Sequence, residues 1–397
     1  MNSNTERYWL NKERLRIYPR IILAILLLCT LGIYLFIRLN GDSFYYENDY
    51  SIFWTVSRLS LEGKSILAYD YLFLLDKVRE IAPVVKSRWF YFPTYDLFIL
   101  PIGLLPYGAS YLLFMATTYC AYATVIWRIL PYKETMWWLA VFGGAWINLR
   151  FGQNGFITAA LVGAALMNIN KRPAISGIFI GLLTIKPQLV ILFPVALIAC
   201  KAWRTLIFAV ITAVLFLSIS TYLIGMDSLI ASLDNIAQAR ALIESEGSNG
   251  FWQIMPTFFA LCRLSGAPVF TSYLVHYFFA AFAVLSTWII WKNTPNSDLR
   301  NATLIICTLL VSPYLHVYDL TWLALAIAWF IRYGMQTGWR NGEREVLIGI
   351  WILPFVDVPI SRYFDIQIGP IIVFCFLLIL MKRYQINLRC NLSPNKC

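Results

Sequence analysis

Four short polar stretches interrupt an otherwise apolar chain, and each carries side chains able to act on a charged or hydroxylated ligand. The first is "GDSFYYENDYSIFW", where Asp42, Glu47 and Asp49 cluster. A carboxylate held at a membrane surface can take a proton from a hydroxyl, and exclusion of water raises its pKa toward a working value. The plain alternative for Asp49 is a helix cap or a solvated loop acid. The second stretch is "RFGQNG", with Arg150, Gln153 and Asn154 beside Gly152 and Gly155. Amides both donate and accept, which suits sugar hydroxyls, and the glycines let backbone approach a ligand closely. A polar turn joining two helices is the other reading. The third is "TIKPQ", which sets Lys186 at the end of an apolar run, followed by Pro187 and Gln188. A cation there costs roughly 2.5–3.5 kcal/mol at mid-membrane and less near the interface. It calls for an anion, and a lipid phosphate is the natural candidate; a lysine snorkelling to the surface is the alternative. The fourth is "SPYLHVYD", where His316 stands among Ser312, Tyr314, Tyr318 and Asp319. Histidine there could assist a carboxylate, carry a proton or bond a phosphate, or simply pack at a helix end. His276, in "YLVHYFF", reads as a packed histidine.

The elements that must position these groups are membrane helices. The chain is 59% hydrophobic and 13% charged, against about 25% charged in soluble domains. Apolar runs recur from Ile21 to Leu380, which gives an all-α polytopic membrane protein. The net charge of +11 does not indicate nucleic acid, because Lys and Arg sit between the apolar runs, where orientation signals belong. The eight cysteines are scattered and form no CxxC, so neither a zinc site nor a disulfide framework is expected. No HExxH, DxD or Walker loop occurs. The first run follows a basic segment without a small-residue cleavage site and is read as a retained helix.

About twelve spans are expected, near 21–38, 108–128, 135–149, 154–170, 173–185, 188–200, 204–225, 267–291, 301–312, 317–331, 344–358 and 367–381. Several are short, so their ends are expected to extend further. The whole chain, 1–397, reads as one transmembrane domain, with residues 1–20 and 382–397 cytoplasmic and large outer loops at 39–107 and 226–266. "NDYSIFW" opens an amphipathic juxtamembrane helix whose stripe is Ile52, Phe53, Val56 and Leu59. Pro93, Pro101 and Pro106 break Tyr91–Gly108 into a re-entrant or interfacial helix, since a full crossing would place the later basic pairs outside. In this topology all four polar stretches collect on the outer face. A transporter or lipid flippase would show repeated halves or polar residues on both sides of the bilayer. A structural envelope protein would not need Lys186 and Gln153 at membrane depth.

Taken in order, "NDYSIFW", "YFP" before a proline-broken helix, "GQN", "KPQ" and "SPYLHVYD" resemble the membrane glycosyltransferases of family 87, in the GT-C superfamily. That family includes polyprenyl-phosphate-mannose-dependent α-mannosyltransferases. The likeness runs from about Asp49 to Asp319. It implies a GT-C fold and inverting transfer of a hexose or pentose from a polyprenyl-phosphate carrier to a lipid or glycan acceptor at the outer face of the cell (inner) membrane. Asp49 is implied as general base and His316 as its active-site partner. Lys186 and Gln153 are implied to hold the donor phosphate and sugar, and Gln188, Asn154, Arg150 and Tyr314 are expected to join them in donor binding. The partners expected are donor, acceptor and membrane lipid, with no nucleic acid, no metal and no cofactor. The chain departs from the family pattern in having "YFPT" where "YPP" is usual, and its neighbouring acids keep Asp42 a competing base.

Overall fold

The computed structural model describes residues 12–39, 49–83, 88–246 and 250–392. Among the described residues there are helices and 3-10 turns and no strand. The first nine helices are α1 (Lys12–Leu39), α2 (Tyr50–Leu61), α3 (Tyr71–Arg79), α4 (Pro93–Ile99), α5 (Tyr107–Ile129), α6 (Lys133–Ala140), α7 (Gly143–Phe151), α8 (Gly155–Asn168) and α9 (Pro173–Leu182). There follow α10 (Leu192–Ala199), α11 (Trp203–Ile224), α12 (Met226–Glu246), α13 (Phe258–Leu264), α14 (Val269–Asn293), α15 (Ser297–Val311), α16 (Leu323–Thr337), α17 (Glu343–Phe364) and α18 (Gly369–Leu392). The protein is an all-α, multi-pass membrane protein.

Six of the described helices, α1, α5, α11, α14, α17 and α18, are long and apolar enough to cross a bilayer. The short runs near 344–358 and 367–381 lengthen into α17 and α18, but others stay short. The run expected at 135–149 breaks at Val141–Phe142 into α6 and α7. α8 has 14 residues, and α9 with its 3-10 extension stops at Ile185. The expectation that the short runs extend past their bounds holds for α17 and α18 and fails for α8 and α9. Proline explains part of it: Pro173 opens α9, and Pro187 forces the residue before it out of the helical region. Burial explains the rest. α15 is buried at 12 of its 15 residues, so it is sheathed by protein and need not match the bilayer thickness.

The proline-rich segment does not cross either. Pro93 sits in the first turn of α4, Pro101 in the 3-10 turn Leu100–Leu104, and Pro106 caps α5. α4 has 7 residues, against the ~20 a crossing needs. Beneath it lies α2. The expected stripe Ile52, Phe53, Val56 and Leu59 is buried, and so are Tyr50, Ser51, Thr55 and Ser57 on the other sides. Ser57 Oγ donates to the Ile99 carbonyl at 2.9 Å and accepts from Gly103 N at 2.9 Å, which clamps α2 to the proline-broken segment.

The linker between α15 and α16 lies deep in the fold. Tyr122 Oη on α5 donates to the Thr321 carbonyl at 2.8 Å, Thr321 Oγ1 donates to the Gly144 carbonyl at 3.0 Å, and Trp322 Nε1 donates to Thr158 Oγ1 at 3.1 Å. Irregular backbone at membrane depth survives only with such internal partners. These bonds press the "SPYLHVYD" segment against the α7–α8 turn, and the site is built on that contact.

Candidate active site

α7 ends on Gly152, whose φ of +63° is left-handed. That conformation is inexpensive only for glycine. Gln153 N then bonds the Asn148 carbonyl at 3.1 Å, and Asn148 Oδ1 accepts from Gly155 N at 2.8 Å to open α8. A Cβ on Gly155 would lie 2.5 Å from Asn148 Oδ1 and 2.8 Å from the Tyr318 carbonyl. Both glycines therefore serve the turn and its packing on the fourth polar stretch. The geometry gives them the role of the polar turn that joins two helices.

The turn holds α2 by the residue that precedes it. Asp49 N donates to the Phe151 carbonyl at 2.9 Å. The Asp49 side chain makes no capping bond to α2, so the helix-cap alternative does not hold. Its Oδ2 accepts from Gln153 Nε2 at 2.6 Å. Gln153 is buried, and its Oε1 accepts from Tyr91 Oη at 3.2 Å and from Asn154 N at 3.3 Å. Asn154 Nδ2 donates to Tyr91 Oη at 3.1 Å. Tyr91 is gripped by aromatic neighbours: it stacks on Tyr95 with centroids 4.2 Å apart and meets Phe53 edge-on at 5.6 Å. Asp42 and Glu47 lie outside the described residues.

Lys186 is set by the proline after it. Its φ of −145° and ψ of 75° end the α9 run and turn the side chain inward. Lys186 and Asp319 are 3% and 1% exposed, and Nζ meets Oδ1 at 2.5 Å. The expectation that a lipid phosphate is the lysine's anion is corrected to this extent: in the structure the anion is Asp319, 133 residues away. Asp319 Oδ2 also accepts from His316 N at 3.3 Å, and Lys186 Nζ lies 4.5 Å from the centroid of the Tyr318 ring. A buried ammonium that meets, among the described residues, one carboxylate and one ring face keeps the capacity to bond a further anion, because –NH3+ has three donors.

His316 stacks on Tyr318, with ring centroids 5.3 Å apart and planes 5° from parallel. Its Nδ1 faces the Tyr314 carbonyl at 3.1 Å. A carbonyl only accepts, so Nδ1 carries the proton and Nε2 is left as an acceptor. Burial pushes the imidazole down to about 4, with Asp319 opposing and Lys186 assisting. The ring is therefore neutral near pH 7 and serves as a hydrogen-bonding group, not a cation.

The remaining expected residues are placed differently. Gln188 is half-buried in the 3-10 turn after Lys186. Arg150 is exposed on the last turn of α7 and does not join the Asp49–Gln153–Tyr91 network. Tyr314 turns its hydroxyl away, to Tyr273, whose own hydroxyl reaches Glu244 Oε1 at 2.7 Å. It belongs to a second cluster with Trp252, Met255 and Phe259, under α12.

The segments that carry Asp49 and Lys186 touch. Phe151, bonded through its carbonyl to Asp49, meets Tyr318 with centroids 6.0 Å apart. The Tyr91 phenol is held well above its ordinary pKa, first by burial and then by the charges of Asp49 and Asp319 together. Tyr91, Tyr318, Asp319 and Asn148 are the participants that site assignment from sequence missed. Asp319 carried a signal: a lysine at membrane depth demands an acid, and "SPYLHVYD" ends in one. Beside this site, a cleft of 360 Å³ lies between the proline-broken segment and α5, lined by Phe98, Ile102, Ser110, Leu113, Phe114 and Ile157, among others. It reaches the Tyr50 Oη–Ser110 Oγ hydrogen bond at 2.5 Å, one residue from Asp49.

Against known proteins, the family model of glycosyltransferase family 87 matches residues 89–313, more than half of the chain. The match takes in Tyr91, Gln153 and Lys186 and stops short of Asp49 on one side and Asp319 on the other. No curated protein and no solved structure matches.

Proposed function

The chain belongs to glycosyltransferase family 87, and from that premise we propose that it moves a sugar from a polyprenyl-phosphate donor to a lipid or glycan acceptor, with inversion, at the extracytoplasmic face of the cell membrane. The observation that carries the reading is a carboxylate, Asp49, bonded to Gln153 beside Tyr91, and a buried ammonium, Lys186, over the Tyr318 ring, in segments that touch through Phe151 and Tyr318. Transfer from a lipid phosphate needs those two groups: a base for the incoming hydroxyl and a cation for the outgoing phosphate.

In this mechanism Asp49 takes the proton of the acceptor hydroxyl as its oxygen attacks the anomeric carbon in line. The bond from that carbon to the carrier phosphate oxygen breaks, and its electron pair leaves on the phosphate. Lys186 stabilises the charge that grows there. The carrier phosphate is already a good leaving group, so no nucleotide is required outside the cell. The apolar cleft beside Tyr50 accommodates the first isoprenyl units, which keeps the scissile bond at the membrane surface. His316, with Nε2 as an acceptor, is suited to a donor or acceptor hydroxyl.

The test is mass spectrometry of envelope glycolipids and glycans from cells with and without the protein. Loss of one glycosylated species, with build-up of its unglycosylated precursor, is expected. An unchanged glycan profile together with lost movement of a lipid across the membrane would favour a flippase instead.

A further inference from the structure

We propose that Gln153 is a positioning residue for Asp49, and that Tyr91 locks Gln153 in the one amide orientation that serves it. This rests on Asp49 acting as the base. Family resemblance alone assigns Gln153 to the donor sugar, but both ends of its amide are occupied inside the protein. A carboxylate only accepts, so the atom 2.6 Å from Asp49 Oδ2 must be the amide nitrogen. That fixes Oε1 toward Tyr91. Tyr91 Oη donates its one proton to Oε1 at 3.2 Å and accepts from Asn154 Nδ2 at 3.1 Å. Asn154 N adds a second bond to Oε1 at 3.3 Å. Every donor and acceptor runs in one sense, from Asn154 through Tyr91 and Gln153 to Asp49.

Rigidity follows from what surrounds the relay. Gln153 is 3% exposed and sits one residue past the left-handed Gly152. Tyr91 is held between Tyr95, Phe53 and Trp89, the last with centroids 4.9 Å away. The relay ties three segments distant in sequence, so the carboxylate is fixed by the assembled fold and not by α2 alone. A base held in its reactive geometry has its orientation settled before the acceptor arrives. The amide N–H also favours the charged carboxylate, and its removal raises the pH at which Asp49 loses its proton.

The test compares Gln153→Met, Tyr91→Phe and Asp49→Asn in the full chain in detergent. Infrared difference spectra across a pH titration, wild type against Asp49→Asn, isolate the Asp49 carboxylate band without any substrate. In Gln153→Met that band is expected to titrate about one pH unit higher, and in Tyr91→Phe by a smaller step in the same direction. Tyr91→Phe keeps the aromatic packing, so it remains informative where Gln153→Met fails to fold. Turnover is measured with whichever of a panel of polyprenyl-phosphate hexoses and pentoses the wild type uses. There kcat is expected to fall roughly 10–100-fold in Gln153→Met with donor KM nearly unchanged, and the acid limb of the pH profile to move upward. A raised donor KM with an unmoved limb would make Gln153 a donor contact and overturn the inference. An unshifted carboxylate band in both variants overturns it as well. Full activity in Asp49→Asn, by contrast, removes the base reading itself.

Discussion

Replacing Asp319 by asparagine keeps the outline of the site and removes one charge, which isolates what Lys186 does. In the wild type the carboxylate offers two acceptors to two donors, Lys186 Nζ at 2.5 Å and His316 N at 3.3 Å. An amide offers one acceptor and one NH2, so one of those donors must face another donor. Lys186, 3% exposed, is then a buried charge without its anion. Losing one partner of such a pair costs about 3–5 kcal/mol. In a chain of this size that lowers the unfolding midpoint by on the order of 5 °C. The decisive readout is the response to donor. If Lys186 faces the carrier phosphate, the phosphate supplies the missing anion, and donor stabilises Asp319→Asn more than wild type. A tenfold tighter complex corresponds to about 1.4 kcal/mol of extra stabilisation at saturation. The assay is thermal unfolding in detergent, with and without a polyprenyl-phosphate sugar, on wild type, Asp319→Asn, Lys186→Met and the double variant. The double variant is expected to be more stable than the sum of the single losses allows, because neither charge is left alone. Equal donor stabilisation of wild type and Asp319→Asn would refute the reasoning and leave Lys186 a structural residue.

Three further outcomes are expected. Asp49→Asn abolishes glycosyl transfer while donor-induced thermal stabilisation persists; retained turnover would shift the base role to Asp42. His316 titrates in the folded protein near 4, below its ordinary value, so its contribution to stability is complete above about 6.5 and is lost as pH falls from there toward 4. His316→Gln should therefore flatten the fall in unfolding temperature across that window, and an equally steep fall would remove His316 as the cause. Cysteines placed at the exposed positions Leu72, Arg150 and Arg240 should label from outside the cell, and those at Lys133 and Lys171 only from inside; labelling of the first three from different compartments would end the proposed sidedness.

The membrane class and the gathering of polar motifs were legible because they are local: a run of apolar residues is a helix whatever its neighbours. Pro187 likewise announced the break that exposes Lys186 to the interior. Pairings were another matter. Asp49 finds Gln153 across 104 residues and Lys186 finds Asp319 across 133. The end of "SPYLHVYD" marks Asp319 as a candidate acid, but nothing local sets it opposite Lys186 until α15 and α16 have folded around their linker. The glycines of "FGQNG" misled for a related reason. A glycine required for close approach reads the same whether the approaching group is a ligand or the Tyr318 carbonyl. Span length is set by lipid for α17 and α18, which lengthen, but not for α15, which is sheathed in protein.

The Lys186–Asp319 pair also explains how a phosphate site can exist in a membrane protein before its ligand arrives. An unpaired ammonium at this depth would be driven to lose its proton or destabilise the fold. Asp319 gives the lysine its counter-charge, and Tyr318 covers it with a ring face 4.5 Å away. A phosphate that enters need not create the cation; it shares one already formed and aimed. The same economy appears at Asp49, where the fold supplies an amide in place of water. Tyr91 feels both carboxylates, Asp49 and Asp319. On the proposed reading, a change of charge at the phosphate end is felt electrostatically at the base end, since coupling through protein is stronger than through water. Donor binding at Lys186 should for that reason raise the pH at which Asp49 becomes ionised, since a second negative charge disfavours the first. The infrared titration of Asp49 measures it directly: a band that moves upward when donor is added supports a common cavity, and one that stays fixed places the two groups in separate ones.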